Sequence, residues 1–244
     1  MTKCVQWLIP ILEKENINDK LLKTLQNVYE NNNIHDIKFT EKLYHKHFKK
    51  NISDDYEIIE IIGSGSIGQV YKIKDKYDKF YVMKVKHPNI KSQVNLFRRI
   101  FKLIYNTDIF NKLLYKYFPF KLDKFLNDFY KQTDFINESN NILQFYNKYK
   151  DNKFLIIPKL IKTSEDIIIM EYIDGKCLDE LDISEYRKSK IIFLLYLFIR
   201  NNMMIINYNH GDLHKFNWKV SNEVCDNLNK IIIYDFGYCF INNK

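Results

Sequence analysis

The residues best suited to chemistry lie in the stretch His210-Gly-Asp-Leu-His-Lys-Phe-Asn217. Asp212 can orient or deprotonate an attacking group, and the amide oxygen of Asn217 can bind a divalent cation. A second carboxylate, Asp235, opens an Asp-Phe-Gly directly after the apolar run Ile231-Ile-Ile-Tyr234. A buried strand would fix this carboxylate beside a metal ion that bridges phosphates. The two segments predict a site that binds phosphate and metal.

A glycine-rich segment earlier in the chain is the second candidate for phosphate binding. Gly63, Gly65 and Gly68 form G-x-G-x-x-G between two strand-like segments, whereas a dinucleotide fingerprint needs a helix next. Glycine lets the backbone approach phosphates closely, and we expect positive φ angles in this loop. A plain glycine-rich hairpin is the alternative. The predicted nucleotide-binding residues of the loop are Gly63, Ser64, Gly65, Ser66, Ile67, Gly68 and Val70.

A lysine lies in the strand-like segment that follows the loop. Lys84 is part of Val82-Met-Lys-Val85, the place where a kinase carries the lysine that holds the α- and β-phosphates. A lysine between apolar neighbours can also point outward into solvent. Its candidate acidic partner is Glu138, about 54 residues further along the chain. Glycine loop, strand lysine, His-x-Asp loop and Asp-Phe-Gly follow one another in the order of a kinase, which favours that class.

The surrounding sequence predicts the elements that position these residues. Apolar residues at helical spacing indicate helices, and β-branched runs indicate strands. Their order predicts an α+β fold of two lobes with a cleft between them. Helices are predicted at Gln6–Phe48, in several pieces over 89–150 and at Ile183–Asn207, and strands at Tyr56–Ile62, Phe80–Val85, Phe154–Ile157, Asp166–Met170 and Ile231–Tyr234.

Composition narrows the class of protein. The chain has 244 residues, 46% of them hydrophobic, which suffices for one large domain or two lobes. Its net charge of +8 suits an anionic partner such as a nucleotide, although an A/T-rich genome would give the same excess of lysine. No basic stripe with interleaved aromatic residues is present, so we expect no nucleic-acid partner.

Cysteine usage and hydropathy bear on the compartment. The four cysteines form no metal-ligand spacing, and the first residues form no signal-peptide pattern. The longest apolar run, Ile191–Ile199, is roughly half of what spans a bilayer, so it predicts a buried helix and no transmembrane segment. We therefore expect an intracellular protein that is soluble or peripheral to a membrane.

At these motifs the sequence resembles the UbiB/ADCK family of atypical kinases, the aarF-domain group. The glycine loop resembles its S-I-G-Q-V, and the strand around Lys84 is similar to V-A-V-K-V-Q-H-P. The segments around Glu138 and Asp212 resemble E-L-D-F-x-x-E-A-x-N and H-A-D-P-H-P-G-N, and the first residues are similar to K-x-G-Q-W. The matching stretches are Ser66–Val70, Val82–Pro88, Gln132–Asn141, His210–Asn217 and Lys3–Trp7.

The resemblance implies ATP and Mg²⁺ as ligands and gives the matching residues roles. The implied catalytic residues are Asp212, Lys84 and Glu138; the implied metal ligands are Asn217 and Asp235; the implied adenine hinge is the backbone of Glu171 and Ile173; and the implied family-specific gate over the nucleotide is Lys3, Gln6 and Asp134.

The resemblance also implies a division of the chain and exposes some departures. It implies an N-terminal helical extension over 1–55, a kinase-like N-lobe over 56–173 with a helical insertion at about 89–130, and a shortened C-lobe over 174–244. Gly63 and Gly65 stand where the family is alanine-rich, which predicts looser, more kinase-like ATP handling. Gln132 replaces the first acid of E-x-D, and Val5 replaces the glycine of K-x-G-Q, which puts the gate in doubt. The chain ends seven residues after Gly237, so we expect the activation segment and later C-lobe helices to be missing.

Three functions remain open at this point. The first is an ATPase or a small-molecule or lipid kinase, and the resemblance implies an isoprenoid lipid or a membrane surface as its setting. The second is a catalytically weak pseudokinase that binds nucleotide as a regulatory module. The third is a kinase of the aminoglycoside/choline type, which shares His-Gly-Asp-Leu-His, but Asp235-Phe-Gly and Ser66-Ile-Gly-Gln-Val argue against it.

Overall fold

The computed structural model describes residues 34–90, 92, 95 and 130–242. Two compact units meet in the chain between Ile90 and Lys91. The helix predicted from Gln6 lies outside the described residues as far as residue 33, and so does nearly all of the predicted insertion at about 89–130. The three predicted domain boundaries stay predictions.

The first unit is a helix pair followed by an antiparallel meander. In the meander β1 pairs with β2 and β2 with β3, and the β2–β3 register runs without interruption from Gly68↔Lys86 to Lys74↔Phe80. The elements are α1 (Ile37–Phe48), α2 (Ile52–Asp55), β1 (Glu57–Ser64), β2 (Gly68–Lys74) and β3 (Phe80–Lys86).

Local side-chain bonds define the turns of this unit. Asp75 ends the β2 side of the turn, and its Oδ1 accepts hydrogen bonds from the backbone N–H groups of Tyr77 and Lys79 at 2.9 and 3.0 Å. An aspartate that satisfies backbone donors in this way is typical of a tight turn. Tyr44 on α1 is fully buried and donates to Asp55 at 2.7 Å, which fixes α2 against α1.

The second unit mixes helices with three small groups of strands. Strands β5 and β6 pair antiparallel, β4-β10-β9-β7 form a four-stranded sheet, and β8 pairs with β11. The elements are α3 (Phe135–Tyr149), β4 (Leu155–Ile156), β5 (Leu160–Thr163), β6 (Ile167–Glu171), β7 (Gly175–Lys176), α4 (Glu185–Asn201), β8 (Asn209–His210), β9 (Trp218–Cys225), β10 (Leu228–Ile233) and β11 (Cys239–Phe240).

The core of the second unit lies along β6, β10 and one face of α3. The three-residue runs Ile167–Ile169 and Ile231–Ile233 are fully buried, as the apolar sequence of both strands predicted. On α3, Phe135, Ile142 and Phe145 recur at helical spacing and are all buried. This core fixes the ends of β10 and α3, which carry the predicted site residues Asp235 and Glu138.

Helix α4 differs from the expectation of a buried helix. It begins at the cap Ser184 and continues after Asn201 into a π-helical turn at Asn202–Ile206. Within Glu185–Asn201 only Ile191 and Phe198 are buried. The prediction of a buried helix is therefore wrong. By length and composition alone, Glu185–Ile206 could cross a membrane, and 17% of its most apolar window is buried.

The strand predictions at β1, β3, β4 and β6 agree with the structure within two residues at either end, whereas β10 begins three residues before its predicted start. Strand β9 was missed because its sequence is polar and gives no apolar alternation. It forms because Asp226 and Asn227 both take left-handed φ angles, 50° and 60°, and close a two-residue turn onto β10. Such turns match the twist of antiparallel strands, so pairing with the buried β10 imposes the strand.

Candidate active site

The glycine-rich hairpin joins β1 to β2 in the first unit. Gly63 pairs with Val70 and Ser64 with Gln69, and the Gly65 N–H donates to the Gly68 carbonyl at 2.9 Å. None of the described glycines has a positive φ, so the expectation of left-handed glycines in this loop is wrong. A Cβ added at Gly63 would meet nothing within 4 Å, and at Gly65 only the Gly68 carbonyl at 3.7 Å. At Gly63 and Gly65 there is therefore open space beside the backbone, and neither position needs glycine for its conformation.

Lys84 lies on β3 directly across from Val70 of the same hairpin. Its chain neighbours Met83 and Val85 are fully buried, while Lys84 is half-buried. Because successive strand residues point to opposite faces, the Lys84 side chain lies on the face away from that core. Val70, the residue opposite Lys84, lies two positions after Gly68, the last glycine of the loop. Its pairing with Glu138, which belongs to the other unit, stays a prediction.

His210 joins the two segments that carry the predicted catalytic and metal residues. Its Nε2 donates to the Tyr234 carbonyl at 2.9 Å, and its Nδ1 accepts from the Asp212 N–H at 3.3 Å. These two contacts require the neutral ring, with the proton on Nε2. Burial lowers the pKa of His210, against the opposing pull of Tyr234, Asp235 and Asp212. One half-buried imidazole therefore connects the Asp212 loop to the end of β10.

Asn217 reinforces this connection. Its side-chain nitrogen donates to the Asp212 carbonyl at 2.7 Å, and its own carbonyl accepts from the Tyr234 N–H at 2.8 Å. The residue is buried, with 6% of its surface exposed. Because the side-chain nitrogen bonds the Asp212 carbonyl, Oδ1 is the atom of this amide that can act as a metal ligand. An oxygen ligand is what a divalent cation requires.

Asp235 stands just past the end of β10 in a left-handed conformation, with φ of 55°. A non-glycine residue in this region is uncommon and is often associated with function. A Cβ added at the neighbouring Gly237 would lie 3.2 Å from Asp235 Oδ1 and 3.5 Å from Glu138 Oε2. Both carboxylates therefore border Gly237. The second unit brings Glu138 and Asp235 together, as a shared nucleotide site requires.

The carboxylates of Glu138 and Asp235, which we call the acidic corner, affect the thiol of Cys239. Cys239 is half-buried and its Sγ contacts the Phe236 carbonyl at 3.5 Å. Burial raises the pKa of the Cys239 thiol well above its ordinary value, and the carboxylates of Glu138 and Asp235 add to that rise. The acidic corner thus favours the binding of a cation and disfavours ionisation of a further acidic group.

Sequence reasoning missed the residues that hold Phe236. Phe236 is 1% exposed and packs on Phe145 and His210, with ring centroids 4.9 and 5.1 Å apart. The Asn141 side chain donates to the Phe236 carbonyl at 2.7 Å and accepts from the Tyr208 hydroxyl. Asn141 was the last residue of a family motif, so its place in that motif was the only available signal. These contacts fix the backbone on which Asp235 depends.

The predicted hinge residues follow the buried strand β6. Glu171 ends the strand, and its N–H donates to the Lys159 carbonyl at 2.9 Å. The Ile173 carbonyl accepts from the Tyr234 hydroxyl at 3.1 Å. This last contact links the hinge segment to the residue before Asp235. The role of Glu171 and Ile173 in adenine binding stays a prediction.

The predicted gate is only partly within the described residues. Asp134 caps α3, where its Oδ1 accepts from the N–H groups of Ile136 and Asn137 at 3.0 and 3.3 Å. This gives Asp134 a structural task, and its role in a gate stays a prediction. Gln132 is buried, and its carbonyl lies near Gly237. Lys3 and Gln6 lie outside the described residues.

The oxygen donors near β10 suit Mg²⁺. Asp235 offers a carboxylate and Asn217 an amide oxygen, both hard ligands of the kind that Mg²⁺ takes. In the part of the chain that the structure describes, no group of three or more His, Cys, Asp or Glu could hold a metal ion. Mg²⁺ in nucleotide sites is usually held by one or two protein oxygens with phosphates and water. The donor set therefore fits an ion that arrives with a nucleotide.

Comparison with known sequences places these motifs in context. A sequence model of the ABC1 atypical kinase-like domain matches residues 26–243. A similar curated protein is the probable serine/threonine-protein kinase abkC of Dictyostelium discoideum. It is 25% identical over 220 residues, which cover 87% of this chain and 32% of that protein. The chain therefore spans about a third of the length of this relative.

Two solved structures share the fold. Rv3197 from Mycobacterium tuberculosis, in complex with erythromycin, aligns with a TM-score of 0.66 at 17% identity, over 95% of this chain and 59% of that one. The Rio2 kinase-ADP/Mg²⁺-phosphoaspartate complex from Chaetomium thermophilum aligns with a TM-score of 0.51 at 17% identity, over 84% of this chain and 53% of that one. The likeness confirms the predicted α+β, protein-kinase-like fold.

Proposed function

The chain belongs to the ABC1 atypical kinase-like family, and we propose that it binds ATP with Mg²⁺ and acts as an atypical kinase or ATPase. The observation that carries this proposal is the hydrogen-bonded junction at His210. The ring bonds the Tyr234 carbonyl and the Asp212 N–H, which holds the Asp212 loop against the strand end that bears Asp235. A plain turn would not need a neutral histidine bonded through both ring nitrogens to join these two segments.

Each residue of the junction has a task in phosphoryl transfer. Asp212 would orient or deprotonate the attacking hydroxyl or water. Asp235 and Asn217 Oδ1 would hold Mg²⁺, which supplies neutralisation of phosphate charge when bound. Lys84 would bind the α- and β-phosphates, and the open backbone of the glycine loop would cover them. Catalysis of this kind depends on positioning and charge more than on covalent chemistry.

The test is nucleotide binding followed by turnover. We expect Mg-ATP to raise the unfolding temperature of the chain, because a ligand that binds only the folded state stabilises it. Asp235→Asn should lose most of this shift, and Asp212→Asn should keep it while losing turnover by about 10²-fold or more. Asn140→Asp, an exposed change on α3, is the matched control. Absence of any Mg-ATP shift in the unmodified chain would rule the proposal out.

A second candidate is a nucleotide-binding regulatory module with little catalysis. It is favoured by Gln132, which is buried and stands where the resemblance to the family implies an acid. An amide cannot offer an anionic partner to a lysine or a metal. A thermal shift without turnover, equal in the unmodified chain and in Asp212→Asn, would select this candidate over the enzyme.

For the phosphoryl acceptor we propose a small molecule or an isoprenoid lipid, at an intracellular site that is soluble or peripheral to a membrane. The support is the family resemblance and the apolar surface of α4, where Phe193, Tyr196 and Leu197 are exposed. Cosedimentation with phospholipid vesicles tests the setting. We expect Phe193→Asp to lower the bound fraction, because it removes apolar surface and adds a charge. Equal binding of both proteins would contradict it.

A further inference from the structure

His87 follows β3 and contacts the glycine-rich hairpin at three points. Its backbone N–H donates to the Ile67 carbonyl at 2.9 Å, and its ring Nε2 lies 2.9 Å from the Gly65 carbonyl and 3.5 Å from the Ser64 hydroxyl. A carbonyl oxygen only accepts, so Nε2 must carry the proton. His87 thus fastens the tip of the hairpin to the end of β3, and its Nδ1 is an acceptor.

His35, which precedes α1, supplies the matching donor. The Nδ1 atoms of His35 and His87 lie 2.8 Å apart. Because the Nδ1 of His87 accepts, the Nδ1 of His35 must carry the proton. The Nε2 of His35 then accepts from the Thr40 hydroxyl at 2.8 Å. The geometry therefore assigns opposite tautomers to the two neutral rings, Nδ1–H at His35 and Nε2–H at His87.

The chain of donors continues into the core. The Tyr71 hydroxyl lies 2.7 Å from Thr40 Oγ1 and accepts from the Gln69 side-chain nitrogen at 2.6 Å. Gln69 Oε1 accepts in turn from the backbone N–H of His35 at 2.9 Å. Thr40, Gln69 and Tyr71 are at most 1% exposed. All donors consequently point one way, and we call this chain of Gln69, Tyr71, Thr40, His35 and His87 the histidine relay.

The donor order of the relay is kept only while both rings are neutral. A proton on Nδ1 of His87 would face the N–H of His35, and a proton on Nε2 of His35 would force the Thr40 hydroxyl to rotate away from it. Burial, with a smaller effect of His87, lowers the pKa of His35 to about 4, and burial lowers the pKa of His87. Two charged residues, Asp36 and Glu60, line the same cavity as His35, and a third, Lys86, precedes His87 in the chain.

We propose that the histidine relay positions the glycine-rich hairpin for nucleotide phosphates and releases it on mild acidification. This inference rests on the proposed nucleotide binding, because release of the hairpin changes nucleotide affinity only if the hairpin binds phosphates. His35 and His87 are positioning residues, since they act through the Gly65 and Ile67 carbonyls.

The direction of the pH effect follows from proton linkage. An open hairpin exposes rings whose ordinary pKa is about 6.5, whereas the closed hairpin keeps them neutral. The open form therefore binds more protons, and its share grows as the pH falls from about 6.5 towards 4. Nucleotide affinity should fall by up to about tenfold for each histidine between pH 7.5 and pH 5.5.

The experiment measures the affinity for a fluorescent Mg-ATP analogue between pH 7.5 and pH 5.5 in the full chain. The comparison is made at each pH with His35→Gln, which cannot titrate, and with His45→Gln, an exposed histidine of α1 outside the relay. This comparison cancels the titration of the nucleotide itself. We expect the unmodified chain and His45→Gln to lose affinity on acidification and His35→Gln to lose much less. Equal pH slopes in all three proteins would overturn the proposal.

A second measurement needs neither nucleotide nor variant. Long-range ¹H–¹⁵N spectra of the unmodified chain should show the Nδ1–H tautomer at His35 and the Nε2–H tautomer at His87. The Nε2–H tautomer at His35 would overturn the relay. If no nucleotide binds at any pH, the proposed function fails and with it the part of the inference that concerns affinity. The tautomers then decide whether the relay holds the hairpin.

Discussion

Gly63 and Gly65 of the hairpin and the glycines of the second unit are packed in opposite ways. A methyl group at Gly63 would meet nothing within 4 Å, and one at Gly65 would make an ordinary contact at 3.7 Å. The same group at Gly175 or Gly211 would come within 2.7 or 2.4 Å of a side-chain carbon, and at Gly237 within 3.2 Å of Asp235 Oδ1. Folding therefore requires small residues at these three positions of the second unit and does not require them at Gly63 and Gly65. Glycine at these two positions leaves open space beside the backbone.

The two regions are also held by different means. Around Asp235, the backbone is fixed by aromatic packing on Phe236 and by buried amide bonds from Asn141 and Asn217. The hairpin is fixed by His35 and His87, which are only half-buried. The region around Asp235 contains one imidazole, His210, among packed aromatic and amide groups, whereas two imidazoles in contact with each other hold the hairpin. Because imidazoles titrate and packed apolar groups do not, we expect the hairpin to respond to pH more than the region around Asp235 does.

The largest expected effect is a loss of stability on substitution of Phe236, next to Asp235. Phe236→Ala should lower the free energy of unfolding by about 3–5 kcal/mol, because it empties a fully buried aromatic site. Phe240→Ala, four residues away and 40% exposed, should cost about 1 kcal/mol or less. Denaturant unfolding of both variants measures the difference. Similar losses of stability in the two variants would mean that the aromatic packing around Phe236 does not fix the backbone at Asp235.

Asn141→Leu should cost about 1–3 kcal/mol, because it leaves the buried Phe236 carbonyl only the weak thiol donor of Cys239. Asn140→Leu changes the exposed neighbour on the same helix and should stay within about 0.5 kcal/mol. The pair is compared by thermal or denaturant unfolding. A neutral Asn141→Leu would show that the amide does not support Asp-Phe-Gly.

Alanine in place of glycine tests the packing contrast itself. Gly175→Ala should destabilise by about 1–3 kcal/mol, because the new methyl group meets the buried Ile232 side chain and the Val220 carbonyl. Gly63→Ala should be neutral or stabilising by up to about 1 kcal/mol, since it restricts the unfolded chain and meets nothing. Unfolding midpoints give both values, and a loss at Gly63 as large as at Gly175 would break the contrast.

The smallest effect on stability is expected at Gly65→Ala, within about 0.5 kcal/mol. Its affinity for Mg-ATP should nonetheless fall by about tenfold, equivalent to about 1.4 kcal/mol, because the methyl group hinders close approach of phosphate to the backbone. Nucleotide titration of the folded variant provides the measurement. Unchanged affinity would count against the kinase-like use of this loop that its glycines predict.

The sequence by itself determined the elements that carry their own signal. The β-branched runs at β6 and β10 and the apolar periodicity of α3 fixed their types, because burial on one face or both dictates the residue pattern. The motif order identified the fold class and nominated Asp212, Asn217 and Asp235. These inferences needed only the local chain.

Tertiary structure decided what depends on groups far apart in sequence. The role of His210, the Asn141 bond to Phe236 and the pairing of His35 with His87 join residues separated by 24, 95 and 52 positions. The polar strand β9 likewise exists because β10 offers it a partner. A hydrogen bond depends on distance and direction between two groups, and a sequence gives neither until the chain has folded.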